Sequence, residues 1–128
     1  MRCLVDTQAL IWYVDQDYLV SVKGRAAITD PANELLLSAA SIWEIAIKVG
    51  LRKLRLSMSY RMWMDKAIAD LGIVILPITV DYAEVQSQLP RHHGDPFDRL
   101  IMAQALVESV PVISSDLQLD AYGINRVW

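Results

Sequence analysis

Short runs of consecutive apolar residues alternate with longer stretches of helical periodicity, and this alternation limits the possible folds more than any other feature. A strand that alternates apolar and polar residues faces water on one side. A strand apolar throughout must be covered on both. Residues 2–5, 35–38, 73–76, 111–113 and a short stretch near 125–128 are of the second kind. With helical stretches between them, the expectation is an α/β fold with a mostly parallel sheet, right-handed crossovers and helices over both faces.

The punctuation of the helical stretches is local and readable. Tyr60, Trp63, Met64, Ala67, Ile68 and Leu71 recur at helical spacing, with Ser57 or Ser59 available as a cap and Gly72 as the stop. Ser21 opens another helix that ends near Asp30-Pro31, and Thr79 caps one running to about Leu89. Asp95-Pro96 sets an N-cap before proline at the first helical position and opens a helix over 97–108.

At 128 residues the chain should bury roughly two-thirds of its unfolded surface, so one domain spanning 1–128 is expected. The single cysteine, Cys3, lies in an apolar run, where it reads as a core thiol, and the absence of a second points to a reducing, cytoplasmic compartment. Apolar runs fall far short of the roughly 20 residues a spanning helix needs, so no membrane association is expected. Twelve basic against fifteen acidic residues give a net charge of −3, which argues against a protein that coats nucleic acid but not against an enzyme that meets a polyanion locally.

Four acids carry the chemistry. Asp6 ends the first strand and Asp116 follows the strand in Val110-Pro111-Val112-Ile113, and ligands of open parallel sheets bind beyond the carboxyl ends of strands. Each could equally cap the element that follows it. Glu44 shares a narrow polar stripe with Ser41 and Lys48 on a helix otherwise apolar, either as an i, i+4 partner of Lys48 or as a carboxylate at the lip of a cleft. Asp98 stands on the same face as Ile101, Met102 and Ala105, in a helix apolar nearly all round, where a carboxylate calls for compensation. Grouped carboxylates repel unless a cation joins them, and an all-oxygen set suits Mg²⁺ or Mn²⁺ rather than zinc. His92 and His93, in a Pro-Arg-His-His-Gly loop, read as solvated loop residues rather than ligands. Asp81 and Asp120 read as a first-turn acid and a surface acid. Setting the four acids aside leaves the rest of the chain close to neutral.

Leu4-Val5-Asp6-Thr7, Ser41-Ile42-Trp43-Glu44-Ile45, Asp95-Pro96-Phe97-Asp98-Arg99-Leu100 and Ser114-Ser115-Asp116 resemble the signature blocks of PIN-domain ribonucleases, most closely the VapC-type toxins of bacterial toxin–antitoxin pairs. Each block is weak alone, and the four in order are specific. Ser114 stands where many relatives have threonine and keeps the hydroxyl. The resemblance implies a three-layer α/β/α sandwich and Mg²⁺- or Mn²⁺-dependent endonucleolytic cleavage of RNA. It also implies a cognate antitoxin that restrains the enzyme and a homodimeric assembly. By the same likeness Asp6, Glu44, Asp98 and Asp116 are the catalytic acids. Asp6, Asp98 and Asp116 hold the ion, Glu44 orients the water, and Asp95 assists from the edge. A phosphatase with an aspartate nucleophile fits less well, since Asp6 is followed by Thr7-Gln8 with no second aspartate. A degenerate domain that only binds RNA or protein is the other alternative, and retention of all four acids argues against it.

An acidic protein that cuts RNA needs a local basic track. Lys48, Arg52, Lys53 and Arg55 fall within eight residues, just after the Glu44 stripe. Gly50 is expected to end that helix, with Leu51, Leu54 and Leu56 facing inward and the basic residues outward. Arg91 and Arg99 would extend the track towards Asp98.

Overall fold

The computed structural model describes all 128 residues. Strand β1 (Arg2–Val5) leads through α1 (Thr7–Asp15) and α2 (Val22–Thr29) to β2 (Glu34–Ser38). Then come α3 (Ala39–Gly50), α4 (Tyr60–Leu71), β3 (Val74–Leu76), α5 (Val80–Gln88) and α6 (Pro96–Glu108), and finally β4 (Val112–Ile113) and β5 (Arg126–Val127). The five strands form one sheet in the order β3-β2-β1-β4-β5, and every pairing is parallel. The chain fills one side of β1 first and then crosses to the other. The switch of direction therefore lies between β1 and β4.

Why these strands are apolar throughout is visible in the packing. Successive side chains of a strand point to opposite faces. Cys3 and Val5 of β1, Leu35 and Leu37 of β2 and Ile113 of β4 join one core with Leu10, Ile28, Ile45, Trp63 and Met64, drawn from α1 to α4. Leu4, Leu36 and Val112 point the other way, against Ile101, Met102 and Ala105 of α6. The result is the expected three-layer sandwich. Strand β3, at the sheet edge, is the exception, with Val74 and Ile75 left 45% and 43% exposed. Cys3 is fully buried, and burial pushes its thiol pKa up.

The capping residues largely behave as the local chemistry predicts. Ser21, Thr79 and Asp95 accept from the backbone N–H groups of Gly24, Tyr82 and both Phe97 and Asp98, and Gly72 takes the left-handed conformation that ends α4. Three readings are corrected. Ser59 occupies the N-cap position of α4 without a side-chain bond, while Ser57 binds Asp15 through its N–H (3.0 Å) and hydroxyl (2.6 Å). The same carboxylate accepts the indole N–H of fully buried Trp63 at 3.0 Å, so Ser57 serves a tertiary knot rather than a cap. Helix α3 ends at Gly50 as expected, although Arg52, not a glycine, takes the positive φ of 58° in the turn that follows. That turn leaves Leu51 60% exposed rather than facing inward, while Leu54 and Leu56 are half-buried. Trp43, counted with the apolar face of α3, is 62% exposed and meets Phe97 edge-on at 5.8 Å between ring centroids.

Candidate functional site

The four acids arrive from four separate segments. Asp6 leaves β1 as the N-cap of α1, its Oδ1 accepting the Ala9 N–H at 2.7 Å. Asp116 leaves β4 and caps a 3-10 turn over Leu117–Tyr122, accepting the Gln118 N–H at 3.0 Å. Capping and site-facing readings thus hold together: each cap fixes the carboxylate at the carboxyl end of its strand. Glu44 enters from α3, which the buried Thr7-to-Ser41 hydroxyl bond (2.8 Å) ties to the start of α1. Asp98 enters from the first turn of α6, whose cap is Asp95.

All four line one cleft of about 210 Å³, together with Lys48 and Asp95. Larger hollows exist, one of about 600 Å³, but that one flanks the amino ends of β2 and β3 around Asn33 and Gly72. The acidic cleft lies instead at the switch point, at the carboxyl ends of β1 and β4, where parallel sheets bind ligands. It continues through Gln8 and Ile11 into a neighbouring groove of about 370 Å³ that Arg55 lines.

The electrostatics of the cleft are unbalanced. Burial raises the Asp6 pKa to about 6, partly offset by hydrogen bonds from Ser114 and Ala9 and reinforced by the charges of Asp116 and Glu44. Burial raises the Asp98 pKa to about 7, with the Asp95 charge adding to it and His93 opposing it. Glu44 is 4% exposed. Its Oε2 accepts from Lys48 Nζ at 2.6 Å, while its buried Oε1 has no partner. The bond to Glu44 in turn raises the Lys48 pKa. A buried carboxylate oxygen left without a donor is costly, as are crowded acids held away from water. A divalent cation relieves both, so the donor set fits Mg²⁺ or Mn²⁺.

Two readings of the surrounding loop are overturned. His93 is not solvated: its side chain is 11% exposed, and Nε2 lies 2.9 Å from Asp116 Oδ2 and 3.2 Å from Asp98 Oδ2. Arg99 is not part of a phosphate track. It is 4% exposed, and its guanidinium donates to the carbonyls of Gln86, Leu89, Pro90 and His93 at 2.9–3.4 Å. Arg99 thereby folds the loop back and carries His93 into the cleft, a tertiary effect with no local sequence signal. Arg91 stays exposed, as do Arg52, Lys53 and Arg55. Lys48 alone of the basic group lines the cleft itself. Asp120 pairs with Arg126 at 3.0 Å on the surface, and Asp81 sits in the first turn of α5, both as expected.

Comparison with known proteins gives a consistent picture. The family model described as PIN domain matches residues 3–125. Ribonuclease VapC22 of Mycobacterium tuberculosis is 27% identical over 129 residues, spanning 98% of this chain and 97% of the relative. VapBC2 from Rickettsia felis, solved bound to a DNA fragment from its promoter, superposes over the full length of both chains with a TM-score of 0.70 at 13% identity. VapBC-1 from nontypeable Haemophilus influenzae gives a TM-score of 0.64 at 14% identity, over 98% of this chain and 96% of that one. At such identities the structural likeness concerns the fold.

Proposed function

The chain belongs to the PIN-domain family, and from that premise we propose that it is a divalent-metal-dependent endoribonuclease toxin restrained by a cognate antitoxin protein. The observation that carries the reading is the convergence of Asp6, Glu44, Asp98 and Asp116 on one cleft, with Glu44 Oε1 buried and without a partner. Support for RNA as substrate comes from the ribonuclease relative, and support for a protein partner from the VapBC neighbours.

Asp6, Asp98 and Asp116 would hold Mg²⁺ or Mn²⁺. When bound, such an ion supplies an acidified water and positive charge for the phosphoryl oxygens. The chain's own contribution is to place and hold the groups around it. Lys48 fixes Glu44 by Oε2, and the carboxylate so held would orient the attacking water and take up its proton. The Asp95 carboxylate, fastened as a cap to Phe97 and Asp98, supports the cleft from its edge. Water attacks phosphorus in line and the 3′ or 5′ oxygen departs, with no covalent enzyme intermediate. The groove past Gln8 and Ile11 to Arg55 offers the strand a path away from the four acids, and the exposed Arg52 and Lys53, three and two residues before Arg55, would add positive charge to it.

The reading predicts that the purified protein cleaves single-stranded RNA with Mn²⁺ or Mg²⁺ and that chelation or Asp6→Asn abolishes cleavage, followed on labelled RNA. Cleavage that persists in chelator, or in Asp6→Asn, would sink it.

A further inference from the structure

His93 lies within reach of two of the three proposed ligands, and its nitrogen could be taken for a fourth. We propose instead that His93 is a positioning residue: its Nε2–H is shared between Asp98 and Asp116 and sets their spacing, and the ring does not ligate the cation. This rests on the reading of the cleft as a divalent-metal site.

The argument begins at the far side of the ring. The backbone N–H of Asp95 points at His93 Nδ1, 3.1 Å away. An amide N–H can only donate, so Nδ1 accepts, and the hydrogen-bond network assigns the proton to Nε2. Nε2 faces the two carboxylate oxygens at 2.9 and 3.2 Å and donates to both. Each of those oxygens has a second lone-pair site and can accept this proton while binding an ion elsewhere. For Nε2 to ligate, the proton would have to move to Nδ1. There it would meet the Asp95 N–H head-on, two donors facing each other and one partly buried hydrogen bond broken.

The ring is also fixed through the backbone. The His93 N–H donates to Tyr122 Oη at 2.8 Å, and that hydroxyl donates to the Pro90 carbonyl at 2.7 Å. Arg99 gathers four carbonyls from the end of α5 and this loop, including that of His93. The donor therefore waits in place before any ion arrives, bridging two carboxylates that would otherwise repel. Groups that orient metal ligands in this way commonly account for about 10- to 100-fold in metal affinity.

The test is Mn²⁺ titration by calorimetry on the wild type, His93→Ala and His93→Gln, with pulsed electron paramagnetic resonance on the Mn²⁺-loaded wild type. His93→Ala should weaken Mn²⁺ binding by about 10- to 100-fold, and His93→Gln, whose carboxamide keeps an N–H donor, should recover most of it. The resonance spectrum should lack the strong nitrogen coupling of a coordinated imidazole. Should His93→Ala fail to fold, the glutamine variant and the wild-type spectrum still decide. Unchanged affinity in His93→Ala, a glutamine variant as weak as the alanine, or a directly bonded nitrogen would each overturn the proposal. A wild type that binds no Mn²⁺ at millimolar concentration would overturn the metal-site reading itself.

Discussion

At the scale of single residues, Asp98 and Asp6 couple function to stability. Their carboxyls ordinarily ionise near 3.8, and in the folded protein they do so near 7 and near 6. Between those limits the folded state keeps protons that the unfolded chain has released, so stability falls as pH rises from about 4 through 7. By pH 8 the cost is on the order of several kcal/mol. In the absence of divalent ions, Asp98→Asn should therefore raise the melting temperature by several degrees at pH 8, gain less at pH 5, and abolish RNA cleavage. A variant that melts lower at pH 8 would mean that Asp98 contributes to the fold rather than straining it. Asp98 was legible as a candidate because a charged residue interrupts a helix apolar nearly all round. His93 was not, because its burial depends on Arg99 and Tyr122, 6 and 29 residues further along the chain. A histidine pair beside glycine looks the same in solvent or in a cleft.

Among the elements, the first turn of α6 and the loop before it act as one unit, and Arg99 is its fastening. Removing the guanidinium leaves four partly buried carbonyls short of a donor, which should cost roughly 3 kcal/mol or more. Lysine should not restore it, since one ammonium cannot replace the planar fork. Arg99→Lys is expected to melt lower and to lose amide protection at His93 and Asp95, measured by hydrogen exchange. Unaltered protection there would show that Tyr122 alone suffices to hold the loop. Elements whose signals are local were readable: the caps Ser21, Thr79 and Asp95, the stop at Gly72, and strands covered on both faces. Where the decisive partner is distant, the sequence is silent. Asp15 collects Ser57 and Trp63 from 42 and 48 residues away, and α1 itself is announced only by Asp6 standing where a cap would. The exposed Leu51 follows from a left-handed Arg52, a conformation that nothing about an arginine signals in advance.

For the molecule as a whole, the question is how a chain of net charge −3 retains a polyanion. Arg55 lines the groove that runs from the cleft, and Arg52 and Lys53 are exposed just before it in the sequence. The triple variant Arg52→Ala/Lys53→Ala/Arg55→Ala should raise KM for RNA and leave kcat little changed, because such interactions hold ground and transition states alike. The slope of log affinity against log salt should flatten by about 0.7 for each phosphate that is no longer neutralised. An unchanged slope would move the track elsewhere on the surface. The same global view gives the sheet order another meaning. Asp6 and Asp116 lie far apart in the sequence, yet they flank one another because β4 docks beside β1. The acid cluster is complete only when β4 has paired with β1, however much of the rest has folded. The enzyme proposed here would therefore be inactive in any partly folded chain that leaves β4 undocked.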